Sequence, residues 1–189
     1  MYLRNAWKHF CTITKHRWRV RSGCFKVGLI RQGLTHDLSK YSWAEFRTGV
    51  LYYQGTRSPN SREREVVGYS TAWMHHKGRN KHHFEYWTDL NLQMRCNAPV
   101  PMPRRYLVEM VMDRIAACKT YNGASYTDAD PLNYFLKSSE SKGDSLIHAQ
   151  TKRELTCLLT MLRDSGEAET FRFIREVVLK GLPFAAESV

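Results

Sequence analysis

Arg104-Arg105-Tyr106-Leu107-Val108-Glu109-Met110-Val111-Met112-Asp113-Arg114-Ile115-Ala116-Ala117-Cys118-Lys119-Thr120-Tyr121 is the clearest helical stretch of the chain. Tyr106, Met110, Asp113 and Ala117 recur at i, i+4, i+7 and i+11, which puts them on one face of an α-helix. Pro103 before it suits a first helical turn, and Asn122-Gly123 after it is a stop signal. A carboxylate on an apolar stripe is costly to bury unpaired. Asp113 therefore needs a partner: a salt bridge to Arg104 or Arg114, or a metal ion.

Helical periodicity also dominates the flanking sequence, and continuous β-branched strand patterns are missing. The reading predicts an all-α fold of at least five helices. A first helical region covers about Leu3 to Arg31, with a break allowed near Cys11 to Thr14, and Gly33 is its stop signal. Ser42-Trp43-Ala44-Glu45 reads as a capping box that starts a helix running to about Gln54. A third helix is predicted from Ser61 to His76, with Val66, Tyr69, Trp73 and His76 inward, and a short one from His82 to about Leu90. Pro99, Pro101 and Pro103 make a stiff connector. Beyond Asp130-Pro131, two amphipathic packing helices, Ser145 to Arg163 and Glu167 to Lys180, join through Ser165-Gly166. One domain is expected over 1–189, with a metal-site core over about 1–135 and a C-terminal helical extension over 136–189.

The chain of 189 residues is long enough for a proper core. No run approaches the ~18 apolar residues of a membrane span, and the N-terminus shows no signal core, so a cytoplasmic protein is expected. Five scattered cysteines without a CxxC pair argue against a disulfide framework and a cysteine zinc knuckle. The formal charge of +11 favours an anionic partner. Lys15-His16-Arg17-Trp18-Arg19-Val20-Arg21 is the densest basic stretch, and apolar residues at helical spacing make it read as a solvated helix face.

The histidines carry the chemistry. His36 and Asp37 are adjacent, after the Gly33 stop and before a capped helix, where imidazole and carboxylate can reach one divalent ion. His16 lies twenty residues before His36, close enough for a helix and turn to fold it back, with His9 as its rival on the same face. His75-His76 and His82-His83 flank a basic, glycine-containing turn beside Trp73 and Trp87. At least one of these four is expected to be a ligand or catalytic group.

The order His16, His36-Asp37, then histidines in the seventies and eighties, then Asp113 on a helix resembles the H…HD…H…H…D pattern of the HD-domain superfamily. That superfamily is all-helical and made mostly of metal-dependent phosphohydrolases, with an oxygenase branch that uses a di-iron pair. His36-Asp37-Leu38-Ser39-Lys40 is similar to the HDxGK signature of one phosphodiesterase branch, with Ser39 in place of glycine. More closely, TKHRW, GLTHDLSKYSWAEF, HHKGRNKHHFEYW and VEMVMDR together resemble a bacterial and phage family of unknown function, over roughly Trp7 to Asn133.

The resemblance implies that His16, His36, Asp37 and Asp113 bind a first ion and that His76 and His83 complete a second. Only seven residues separate His76 from His83, fewer than in the two-metal branches, so the turn either completes that second site or holds substrate. The ion or ions would be manganese, iron or zinc. In a hydrolytic site the metal lowers the pKa of water from ~15.7 toward ~7. Asp37 would orient that water or bridge two ions. Lys40, Arg79 and Lys81 would neutralise a phosphoryl group, and His75 or His82 would protonate the leaving oxygen. The expected function is metal-dependent hydrolysis of a phosphate ester or nucleotide-like anion. Its competitors are a di-iron oxygenase on the same ligands and a nucleic-acid-binding protein stabilised by a metal.

Overall fold

The stretch after Pro103 folds as the central helix of a mostly helical protein. The computed structural model describes residues 2–138 and 146–185. Among these the helices are α1 (Tyr2–Lys26), α2 (Ile30–Thr35), α3 (Trp43–Leu51), α4 (Pro59–Val67), α5 (Thr71–Lys77), α6 (Arg104–Asn122), α7 (Asp130–Lys137) and α8 (Ala149–Phe173). No helix among the described residues is long and apolar enough to cross a membrane. All five cysteines are free.

In α6, every residue from Leu107 to Met112 is buried, as are Ile115 and Ala116. A single apolar stripe is thus too narrow a description: this helix is enclosed nearly all round over its first turns. On one side lies α1, approaching so closely that a side-chain carbon at Gly23 would sit 2.8 Å from Met112 Sδ. On another side α8 presents Leu155, Leu158, Leu159 and Leu162 at i, i+3, i+4 and i+7, all fully buried. Each such leucine contributes up to about 1.5–3 kcal/mol by leaving water.

Several boundaries differ from the sequence reading, each for a local reason. α1 runs unbroken to Lys26, and Gly28, at φ +84°, turns the chain where a side chain would be strained. Gly33 lies buried inside α2 rather than ending a helix. The third predicted helix is split at Gly68, which also has positive φ, into α4 and α5. Val66 and Tyr69 consequently face solvent, and only His76 of that expected inner face is fully buried. Pro103 caps α6 instead of entering its first turn.

The helix expected from His82 to Leu90 does not form. A single 3₁₀ turn, Phe84–Tyr86, leads into β1 (Thr88–Asn91), which pairs antiparallel with β2 (Cys96–Pro99). The Asn91 side chain accepts from the backbone N–H groups of Gln93 and Met94 at 3.0 and 2.9 Å, so an Asx turn closes the hairpin. α7 was not anticipated; it begins with Pro131 in its first turn and buries Leu132 and Phe135. The C-terminal joint falls at Gly166, where α8 kinks, as expected. Ser145, the predicted start of that region, lies outside the described residues.

α3 packs across α1 through His9 and Gly49. A Cβ at Gly49 would fall 2.0 Å from His9 Nε2, and the imidazole is held between Phe46 and Tyr53. Gly49→Ala is expected to destabilise the protein by about 1–3 kcal/mol through overpacking. Urea unfolding measures it, and a wild-type midpoint would show that His9 does not occupy that space.

Candidate metal centre

Four segments converge: α1, the turn joining α2 to the next helical turn, the stretch from α5 to Phe84, and α6. Arg17 of α1 fixes the second of these, donating from Nε to the His36 carbonyl at 2.7 Å and from a terminal nitrogen to the Leu34 carbonyl at 3.2 Å. Asp37 then adopts a left-handed backbone, φ 52° and ψ 27°. For a residue with a side chain that costs on the order of 1–2 kcal/mol, and Asp, whose short polar side chain can hydrogen-bond locally, tolerates it better than most. In the third segment, Asn80 caps α5: its side-chain amide donates to the His76 carbonyl and to Ser39 Oγ, both at 2.8 Å. This cap reverses the chain so that His76, His82 and His83 face the same point.

At that point Asp37, wholly buried, divides its two oxygens. Oδ2 lies 3.2 Å from His36 Nε2 and 3.7 Å from His16 Nε2. Oδ1 lies 3.3 Å from His76 Nε2 and 3.4 Å from His82 Nε2. Asp113 Oδ1 reaches His16 Nε2 at 2.9 Å and His36 Nε2 at 3.5 Å, closing the first group. The donor atoms of His16, His36, Asp37 and Asp113 all lie within 4.8 Å of one another, and so do those of Asp37, His76, His82 and His83.

The inward atoms do not satisfy one another. Nε2 of His16, His36, His82 and His83 and both Asp37 oxygens are buried without a well-formed hydrogen bond. Buried polar atoms in native proteins are nearly always paired. Converging imidazole nitrogens and carboxylate oxygens, in ion-pair contact but short of well-formed hydrogen bonds, are the donor set of a divalent transition metal. The buried cluster can therefore hold a metal ion in either group, with Asp37 common to both.

An outer layer of carboxylates orients the rings. Glu109 Oε1 bonds His36 Nδ1 at 2.9 Å and His82 Nδ1 at 3.1 Å, one histidine from each group. Glu45 bonds His75 Nδ1 and His76 Nδ1, each at 2.7 Å. A carboxylate at Nδ1 fixes the proton there and leaves Nε2 free as a ligand. Glu109→Gln is expected to weaken metal binding about 10–100-fold, the usual cost of losing such a partner. Competition against a chromophoric chelator measures it; undiminished affinity would show that Glu109 does not set the tautomers.

The electrostatics follow from this crowding. Burial pushes the Asp37 carboxyl up, but His36, Lys40 and His76 overcome it and hold it well below the carboxylate range. Asp113 and Glu109, penalised by burial in the same way, are lowered by their histidines. Burial disfavours the charged imidazoles of His36 and His76, yet Asp37 and the other carboxylates raise both. His83 moves the opposite way: burial, then His82 and His76, hold it well below the histidine range. Lys40 Nζ contacts Asp37 Oδ2 at 2.5 Å. Against the pull of desolvation, that contact and Asp113 raise its ammonium above the ordinary lysine value.

The structure thus brings together His16, His36, Asp37, His76, His83 and Asp113. It adds His82, expected as an acid but placed among the ligand donors. Asp113 turns to histidines rather than to Arg104, which pairs with Glu154. His9 does not displace His16; it lies buried against α3. A cavity of about 740 Å³ opens onto the cluster and is walled in part by Lys40, Arg57, Arg114, Lys137, Trp73 and Tyr121. Arg79 and Lys81 are not on its wall. Arg79 is exposed over the His75 carbonyl, and Lys81 lies over the Tyr86 and Tyr106 rings. His75 is not on that wall; its Nδ1 is bonded to Glu45, which is. Glu45 and Glu109 were missed: Glu45 looked like half of a capping box, though Ser42 makes no such cap. The signal for Glu109 was its place one turn before Asp113.

The model of a family of unknown function, DUF5662, matches residues 5–161. The chain belongs to DUF5662. Every residue of both donor groups, and both orienting glutamates, falls inside the DUF5662 match. No curated protein and no solved structure matches this DUF5662 chain.

Proposed function

We propose that this protein is a metal-dependent phosphohydrolase with an HD-like centre, acting on a phosphate ester or nucleotide-like anion. The observation that carries the reading is Asp37, whose two buried oxygens face two separate histidine groups. A bridging carboxylate between two such groups is what the H…HD…H…H…D resemblance implies. His16, His36, Asp37 and Asp113 would hold one ion, and Asp37, His76, His82 and His83 the other. When bound, divalent ions there supply Lewis acidity and a nucleophile drawn from water at neutral pH.

The chain's own residues supply the rest. Lys40, Arg57, Arg114 and Lys137 line the cavity among the carboxylates Glu45, Glu85, Asp113 and Asp130; with Arg57 held by Glu65, it is Lys40, Arg114 and Lys137 that would offer charge-assisted bonds to an anionic group. Lys40 is doubly placed: it touches Asp37 and reaches the cavity, so it neutralises charge beside the centre. His83, held neutral by burial and by His82 and His76, keeps an unprotonated ring nitrogen, the form a metal ligand needs. Glu109 and Glu45 keep His36, His82 and His76 in one tautomer.

The test is metal analysis of protein purified without chelator or affinity metal, followed by a screen of phosphomonoesters, phosphodiesters and nucleotides with manganese, iron and zinc. Phosphate release that depends on metal and is lost in His36→Ala supports the reading. Oxygen uptake with an iron absorption band and no phosphate release replaces it with the oxidative reading. Protein free of metal under every loading condition would refute both.

A further inference from the structure

We infer that the outer face of α1 is a binding surface for single-stranded nucleic acid, separate from the metal centre. Eight lysines and arginines precede Asp37, the first acidic residue in the chain. Among the described residues, none of the α1 cations forms an ion pair with a carboxylate. Arg17 and Arg19 are spent on neutral acceptors, the carbonyls of the His36 turn and Thr120 Oγ1. The remaining charge is concentrated on the solvent side.

The side opposite the core has a definite pattern. His9, Ile13, His16, Val20 and Cys24 are buried. Arg4, Trp7, Lys8, Cys11, Lys15 and Trp18 fall within an arc of about 100° facing away from them, at 3.6 residues per turn. Trp7 is 67% and Trp18 60% exposed, far more than indoles need for packing. They lie about 16 Å apart along the helix, three turns, at 1.5 Å per residue. Arg21 stacks on the Trp18 ring at 4.9 Å, which steadies that indole in the open.

Interleaved cations and exposed aromatic rings meet the two needs of a single strand, phosphate neutralisation and base stacking. A duplex offers no free base faces to the indoles. A lipid surface fits worse: Lys8 and Lys15 share the arc with the tryptophans, so lowering the indoles into acyl chains would carry the ammonium groups with them. The basic stretch that looked like a solvated face is therefore a surface with a partner.

The experiment is fluorescence anisotropy of a labelled single-stranded homopolymer with the full chain, in chelator so that the metal centre takes no part. Binding should fall with salt. Trp7→Ala and Trp18→Ala should each weaken it about five- to a hundred-fold, the range for losing one stacked base. Lys8→Gln with Lys15→Gln should flatten the log–log salt slope by about 1.4, at ~0.7 per neutralised phosphate. On the native chain the strand should quench tryptophan emission, and Trp7→Phe with Trp18→Phe should remove that quench. No anisotropy change at low salt overturns the inference, as does equal binding of a duplex with silent tryptophan variants. Binding confined to phosphatidylglycerol vesicles also overturns it. Because chelator is present throughout, none of these outcomes bears on hydrolysis.

Discussion

Asp37→Asn is expected to strip metal from both donor groups and to lower phosphate release by on the order of 10³-fold or more. Asparagine keeps the size of the side chain and tolerates the left-handed backbone at φ 52°. The change is therefore confined to charge and to one oxygen exchanged for an amide nitrogen. Both groups use Asp37, so neither escapes. A metal centre supplies several kcal/mol of charge stabilisation, and each 1.36 kcal/mol is tenfold in rate, roughly the expected loss.

The same substitution leaves Lys40 facing a neutral amide. Breaking a buried ion pair costs about 3–5 kcal/mol. The Lys40 side chain is 27% exposed, which places the expected loss toward the lower end. Adding Lys40→Met removes the stranded charge and should restore much of the melting temperature without restoring metal. Elemental analysis and thermal unfolding of the single and double variants separate these effects. Full metal content in Asp37→Asn would remove Asp37 from the centre and end the two-group reading.

The centre was legible in the sequence where chemistry and periodicity coincided. Asp113 stood out because a carboxylate on an apolar stripe needs a partner, and His36-Asp37 because a turn held both donors together. The histidine turn was legible as a cluster, but not ring by ring. Which of His75, His76, His82 and His83 faces inward depends on the Asn80 cap, on Glu45, 31 residues from His76, and on Glu109, 27 residues from His82 (109 − 82). No local pattern encodes those contacts. Arg79 and Lys81, expected at the site, lie off the cavity wall for a related reason: charge beside a site in sequence says nothing about which wall it faces. The helical class was readable over most of the chain. The hairpin at Thr88–Pro99 was not, because its strands are only four residues each and are closed by an asparagine side chain rather than by alternating apolar residues.

Metal-free protein should be most stable near pH ~6.5, the ordinary histidine value, and lose stability on both sides of it. His9 and His83 set the acid side. Burial lowers both, His9 to about 4, so the unfolded chain binds protons that the folded one refuses. Their contribution is present above the unfolded value and is lost as pH falls. The depressed carboxyls of Asp37, Glu109 and Asp113 add to that loss below about pH 4. His36 and His76 set the alkaline side. Their raised folded values mean that stability is complete below the unfolded value and declines as pH rises through the folded one. Metal reverses this second limb, because it takes the place of the protons on those imidazoles. An ion at a hundred times its Kd adds about 2.7 kcal/mol per site. It should add progressively more as pH rises above about 6, because less proton release is then needed, with the optimum moving upward. Melting temperature against pH, with chelator and with added zinc or manganese, measures both limbs. A chelator curve that is flat from about pH 6 to 9, or a metal increment that does not vary with pH, would mean that His36 and His76 carry no proton for the metal to displace.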